Sequence, residues 1–196
     1  MSSLNTTFPG FADPVLDGQA AFRAVLQAMS RPGQVQQVPR VPEPPPGLSP
    51  AAAAVLLALV DAETKLCLAA GPQAEAWVRF HCGAPFAPPA AAAFVLDPAA
   101  RLPDLDPGTE EEPERGASLI LEVEALEEAP LQSSGAWRLT GPGIRDEHRL
   151  LVRGVPAGFL ADWAGNRRRA PGGVDVILCA GDRIAALPRS VAIAEA

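Results

Sequence analysis

Thr140-Gly141-Pro142-Gly143-Ile144 is followed by Arg145, Arg149 and Arg153, three guanidiniums at spacing four with Asp146, Glu147 and His148 between them. Two glycines around a proline let backbone amides come close to a bound anion. Guanidiniums grip phosphoryl oxygens in pairs of parallel hydrogen bonds. A helical conformation would set the three arginines on one face. The segment lacks the lysine and hydroxyl ending of a phosphate-binding P-loop and is not the dinucleotide fingerprint. It therefore offers anion recognition without a named nucleotide motif. The same residues also suit a tight turn followed by a surface with internal ion pairs, and both readings stand open.

A second group of polar residues sits in Gly173 to Ser190. Val174 to Cys179 is apolar except for Asp175, which suits a strand covered on both faces. Ala180-Gly181-Asp182 supplies a tight turn, Ile184 to Leu187 pairs back, and Pro188 ends the ladder. The hairpin carries Arg183 and delivers Arg189 and Ser190 at its exit. His81 and His148 are the two imidazoles, and Cys67, Cys82 and Cys179 the three thiols. None of these has the short spacing of a structural zinc site, so no metal is expected; a Cys–His pair formed in space stays open. Asp104, Asp106, Glu110, Glu111, Glu112 and Glu114 crowd the loop 98–115, which reads as solvated surface before it reads as a cation site.

The elements that must hold these groups alternate in type. Asp17 to Met29 has Phe22, Val25, Leu26 and Met29 at helical spacing with Asp17 as a cap, and Ser30-Arg31-Pro32-Gly33 stops it. Residues 39–50, rich in proline, read as an extended connection. Ser49-Pro50 opens a helix over the apolar run Ala51 to Val60. Short strands follow at Lys65 to Ala69 and Ala93 to Leu96, around a helix from Gln73 to His81 with Ala76, Trp77 and Phe80 inward. Ser118 to Ala125 alternates with Leu119, Leu121 and Val123 on one face, Trp137 to Thr140 is the next strand after a polar turn at 132–135, and Pro156 to Asn166 is helical with Phe159, Leu160 and Trp163 inward. This order predicts an α/β fold, a three-layer α/β/α sandwich around a mixed sheet.

At 196 residues with 48% hydrophobic side chains, the chain can build a core and is expected to form a single domain. The first seven residues lack the basic head and apolar run of a signal peptide, and no apolar run reaches the ~20 residues of a membrane span. Few, scattered cysteines suit a reducing cytoplasm. The net charge of −7 is uneven: residues 1–136 hold seven basic and seventeen acidic side chains, residues 137–196 nine and six. The C-terminal third can face an anion, yet no basic stripe with interleaved aromatics marks a nucleic-acid binder. Lys65 is the single lysine, so any Schiff base to an aldehyde cofactor would have to use it.

Four segments together resemble the PhnH family, the H subunit of bacterial carbon–phosphorus lyase. They are Phe22 to Gly33; Arg79-Phe80-His81 with Ala84-Pro85; Gly116 to Leu121 continuing to Arg138 through Ile144; and the hairpin from Gly173 to Arg189. They fall in the family's order across residues 8–190, while the proline-rich stretch and the acidic loop match nothing clearly. The resemblance implies a subunit that works with G, I and J companions in organic phosphonate catabolism. With G, I and the ATPase-like L subunit it would contribute to forming alpha-D-ribose 1-methylphosphonate 5-triphosphate from ATP and methylphosphonate, and would be inactive alone. It implies a homodimer when isolated, and a fold similar to the large domain of pyridoxal-phosphate transferases without that cofactor. No catalytic residue carries over. The matching polar residues, Arg23, Ser30, Arg79, His81, Thr140, Arg183, Arg189 and Ser190, with Gly141, Gly143 and Arg145, suit anion binding or subunit contact. The alternative reading is an independent phosphate- or phosphonate-binding enzyme using Gly141 to Arg153.

Overall fold

Four parallel strands form the centre of a computed structural model that describes residues 8–131 and 133–195. The N-terminal stretch read above for a signal peptide, and Gln132 of the polar turn, lie outside the described residues. The strands are β2 (Leu66–Leu68), β3 (Phe94–Leu96), β4 (Ser118–Glu122) and β8 (Asp175–Ala180). β9 (Arg183–Leu187) turns back antiparallel on β8, and β1 (Gln36–Gln37) adds beyond it, giving the order β1-β9-β8-β4-β3-β2. The sheet is mixed, as the sequence predicts. Its strands read as continuous apolar runs because side chains alternate into two cores. Ile120, Ile177, Cys179, Ile184 and Ala186 enter one; Leu119, Leu121, Val176, Leu178, Ala185 and Leu187 enter the other.

Helices α1 (Pro14–Ser30), α2 (Pro50–Leu59) and α3 (Pro72–His81) cover the first face. α1 begins earlier than expected, because Asp13-Pro14 is the true start: Asp13 accepts from the Val15 and Leu16 amides, and Asp17 reaches back to the Asp13 amide. Its buried stripe also differs. Ala21, Ala24, Val25 and Ala28 face the core, while Phe22 and Leu26 are 51% and 54% exposed. Small side chains let α1 lie close to α2 and β9, which turns the larger apolar residues outward. α2 is capped by the Ser49 hydroxyl and is buried from Ala51 to Leu56. On α3, Trp77 points inward, but Phe80 and Ala76 face out. The proline-rich stretch is not a plain surface connection: Val41 and Leu48 are buried in this core.

The opposite face is where the structure departs from an α/β/α sandwich. It is covered by a second, four-stranded antiparallel sheet in the order β10-β6-β7-β5, together with α4 (Phe159–Arg167). Its strands are β5 (Ala125–Glu128), β6 (Trp137–Thr140), β7 (His148–Arg153) and β10 (Ala192–Glu195). Trp137 stacks on Phe159, and Phe159 on Trp163, so a row of rings joins this sheet to α4. Asn166, buried at the end of α4, closes two hydrogen bonds with Val174 as β8 begins. Arg145, Arg149 and Arg153 do not share a helix face. Arg149 and Arg153 lie on a strand and Arg145 in the turn before it, because the apolar Leu150 is needed by the core under the sheet.

Candidate functional site

The end of α1 meets the turn between β6 and β7 at very close range. Gly33 has φ +86, and a Cβ there would come within 2.6 Å of Leu139 Cδ1 and 2.8 Å of His148 Cδ2. Gly143, φ +81, would drive a Cβ into the Ser30 carbonyl and against Pro32. Both positions therefore need glycine for backbone conformation and for space. Gly141 lies beside Ser190 and Val191, with its Cβ position 3.2 Å from the Ser190 carbonyl oxygen. Three of the motifs picked out in the sequence thus converge: Ser30 to Gly33, Thr140 to Ile144, and the exit of the hairpin.

A cavity of about 330 Å³ opens where the first two of them meet, lined by Arg31, Gln34, Gly143, Arg145, Asp146, Glu147 and His148, with Pro32 and Ile144. The Ile144 amide donates to the Gly141 carbonyl and closes the turn. Arg149 donates to Glu147 at 3.0 Å, and Arg138, its cross-strand neighbour, lies 3.9 Å from the same carboxylate. That placement offsets the repulsion of two arginines side by side on a ladder. His148 Nε2 is buried, and its nearest acidic oxygen, on Glu128, is 3.5 Å away without hydrogen-bond alignment. The other oxygen of Glu128 accepts from the Val35 amide.

The remaining polar residues singled out in the sequence lie elsewhere. Arg23 is exposed on α1 and Arg183 on β9. Arg79 lays its guanidinium over the Phe86 ring at 4.3 Å. His81 donates from Nε2 to the Phe8 carbonyl, and Trp77 donates to Pro9, so both pin the strap that leads into α1. Ser30 hydrogen-bonds back to Gln27. Arg189, at the exit of the hairpin, turns inward: two nitrogens of its guanidinium grip both oxygens of Asp175 and a third donates to the Pro113 carbonyl. Ser190 stays exposed. Lys65 lines a separate cavity of about 660 Å³ with Glu63, Glu114 and Arg115. His148 falls within the Gly141 to Arg153 stretch of the alternative reading, whereas Arg31 and Gln34 are added by the structure; the signal for them was their adjacency to Pro32-Gly33.

The chain matches the family model described as bacterial phosphonate metabolism protein (PhnH) over residues 9–194. It belongs to the PhnH family. Among curated proteins, this PhnH-family chain is 36% identical over 191 residues to the alpha-D-ribose 1-methylphosphonate 5-triphosphate synthase subunit PhnH of Rhizobium meliloti strain 1021, covering 92% of each chain. It is 36% identical over 177 residues to HtxG of Stutzerimonas stutzeri, named as a C-P lyase subunit protein, covering 89% of this chain and 85% of the other. The family match runs through every element that builds the cavity.

The thiols of this PhnH-family chain are held protonated. Burial pushes Cys82 up to about 11, with Asp61 adding to it. Burial raises Cys67 and Cys179 as well, helped by Asp97 and Glu122 respectively. Neither His81 nor His148 has a cysteine among its hydrogen-bond or ion-pair partners. Native protein at about pH 8, near where a free thiol titrates, is expected to react with Ellman's reagent far more slowly than the unfolded chain, the half-buried Cys82 first. A fast-reacting thiol in the folded protein would contradict this.

Proposed function

We propose that the chain is a subunit of a carbon–phosphorus lyase complex that contributes, with G, I and L companions, to making alpha-D-ribose 1-methylphosphonate 5-triphosphate from ATP and methylphosphonate. The observation that carries the reading is the 36% identity across 92% of both chains with a protein named as a subunit of that synthase. On this reading the chain acts in the cytoplasm, in assembly with G, I and J companions, and does not turn over substrate by itself. No helix among the described residues is long and apolar enough to cross a membrane.

The same reading includes a homodimer for the isolated chain. Val15, Leu16, Phe22 and Leu26 support it, since they leave an apolar outer face on α1. It also includes kinship between the parallel centre of the mixed sheet and the large domain of pyridoxal-phosphate transferases, with the cofactor lost. Fold kinship of that kind would say nothing about chemistry.

Co-expression with the G, I and J companions tests the proposal. A stable complex containing this chain is expected, as is synthase activity with L, ATP and methylphosphonate that disappears when this chain is omitted. Recovery of full activity without it, or turnover by the purified chain alone, would overturn the reading.

A further inference from the structure

We infer that the cavity between the end of α1 and the β6–β7 turn binds a small tetrahedral dianion, a phosphate or phosphonate group. This deepens the proposed function by giving the subunit a ligand site of its own, yet it stands on separate observations.

The first observation is free cationic donors. Arg31 and Arg145 line the cavity, are exposed, and have no ion-pair partner among the described residues. A guanidinium presents paired N–H groups that match the oxygens of a tetrahedral anion. The second is a buried atom that lacks a hydrogen bond, its nearest charged neighbour being the Glu128 carboxylate 3.5 Å away. Among the described residues, His148 Nε2 is the one buried side-chain nitrogen or oxygen without a hydrogen-bond partner, and it belongs to a residue on the cavity wall. Such a group is costly unless something else in the site makes use of it. The third is construction: the cavity exists because glycines at 33 and 143 bring two chain segments closer than any side chain would permit.

The local charge also favours an anion, although two carboxylates share the wall. Glu147 is engaged by Arg149 and lies near Arg138. Counting Glu128 and Asp146 as well, four guanidiniums stand against three carboxylates around the cavity. That local surplus stands out in a chain of net charge −7. Asp146 and Gln34 add polar groups that can receive or give hydrogen bonds to hydroxyls on the ligand. A volume of about 330 Å³ suits a small ester rather than a bare ion alone.

Calorimetry on the purified full chain tests this with inorganic phosphate, methylphosphonate and ribose 5-phosphate as probes. One-to-one binding of at least one probe is expected, weakened about tenfold by Arg145→Ala and by Arg31→Ala. Arg168→Ala, at the far end of α4, should leave it unchanged. Tighter binding of ribose 5-phosphate would assign a phosphate ester; tighter binding of methylphosphonate would assign the phosphonate. Proton NMR gives a second readout, because there are two histidines: the ligand should move the ring signals of His148 and leave those of His81 in place. No binding by any probe, or binding that survives both arginine substitutions, would overturn the inference. Neither result would touch the assembly reading, which the co-expression experiment decides.

Discussion

Arg189→Ala is expected to lower the unfolding free energy by about 3 kcal/mol, the scale of breaking a largely buried ion pair by removing one partner. The guanidinium ties three segments: Asp175 at the start of β8, the turn holding Pro113, and its own position after β9. Gly116 makes room for it, since a Cβ there would sit 2.8 Å from the guanidinium. Without the guanidinium, Asp175, only 15% exposed in the intact pair, would keep just the Arg189 amide as a partner. Urea denaturation of Arg189→Ala, Asp175→Ala and the double variant checks it. Strong coupling between the two is expected, with the double variant little worse than either single one. Additive effects would show that the two residues act separately, and the stapling role would fall.

Trp163→Ala should cost more, about 5 kcal/mol, near the upper end for truncating a buried aromatic. Trp163 is 1% exposed, stacks on Phe159 and donates its indole N–H to the Val191 carbonyl at 3.0 Å. Truncation would leave a cavity, break the ring row into the second sheet and orphan a carbonyl beside the Ser190 exit. Trp163→Phe keeps most of the volume and should lose about 2 kcal/mol, divided between packing and the hydrogen bond. A native-like denaturation midpoint for the alanine variant would mean that α4 contributes little to the second sheet. Because natural domains hold only about 5–15 kcal/mol in reserve, the alanine variant should also express poorly at growth temperature.

The β8–β9 hairpin was legible residue by residue, because an apolar run, a glycine turn and a terminating proline all point the same way. The cap and burial of α2 were legible for the same reason: Ser49-Pro50 and an alanine-rich run agree. The inward face of α1 was not. Helical periodicity identifies Phe22 and Leu26 as one stripe and Ala21, Ala24 and Ala28 as another, but only packing against α2 and β9 decides which turns inward. The arginine run left the conformation of β7 open, because residues at spacing four share one face of a helix and also one face of a strand. The second sheet was hidden because β5 and β7 mix polar and charged residues with apolar ones in equal number, as strands with one solvated face do. Of the site, the glycines and Arg145 were visible as types. The partnership of Arg31 with Arg145 was not, since it comes from two glycines letting distant segments touch. Arg189 shows the limit from the other side: an arginine suited to an anion is occupied by its own chain.

The strand order has a consequence for the chain as it is being made. β9 and β10, within residues 183–195, supply the antiparallel neighbour of β8 and the outer neighbour of β6, and β1 has nothing to pair with until β9 exists. A chain that stops before those residues leaves a nearly continuous apolar β8 with one edge bare. Pairings of such long sequence separation form late, and uncovered strands recruit other chains. Premature termination in this stretch would release a polypeptide with most of its core residues but with β8 and β6 each missing a neighbour.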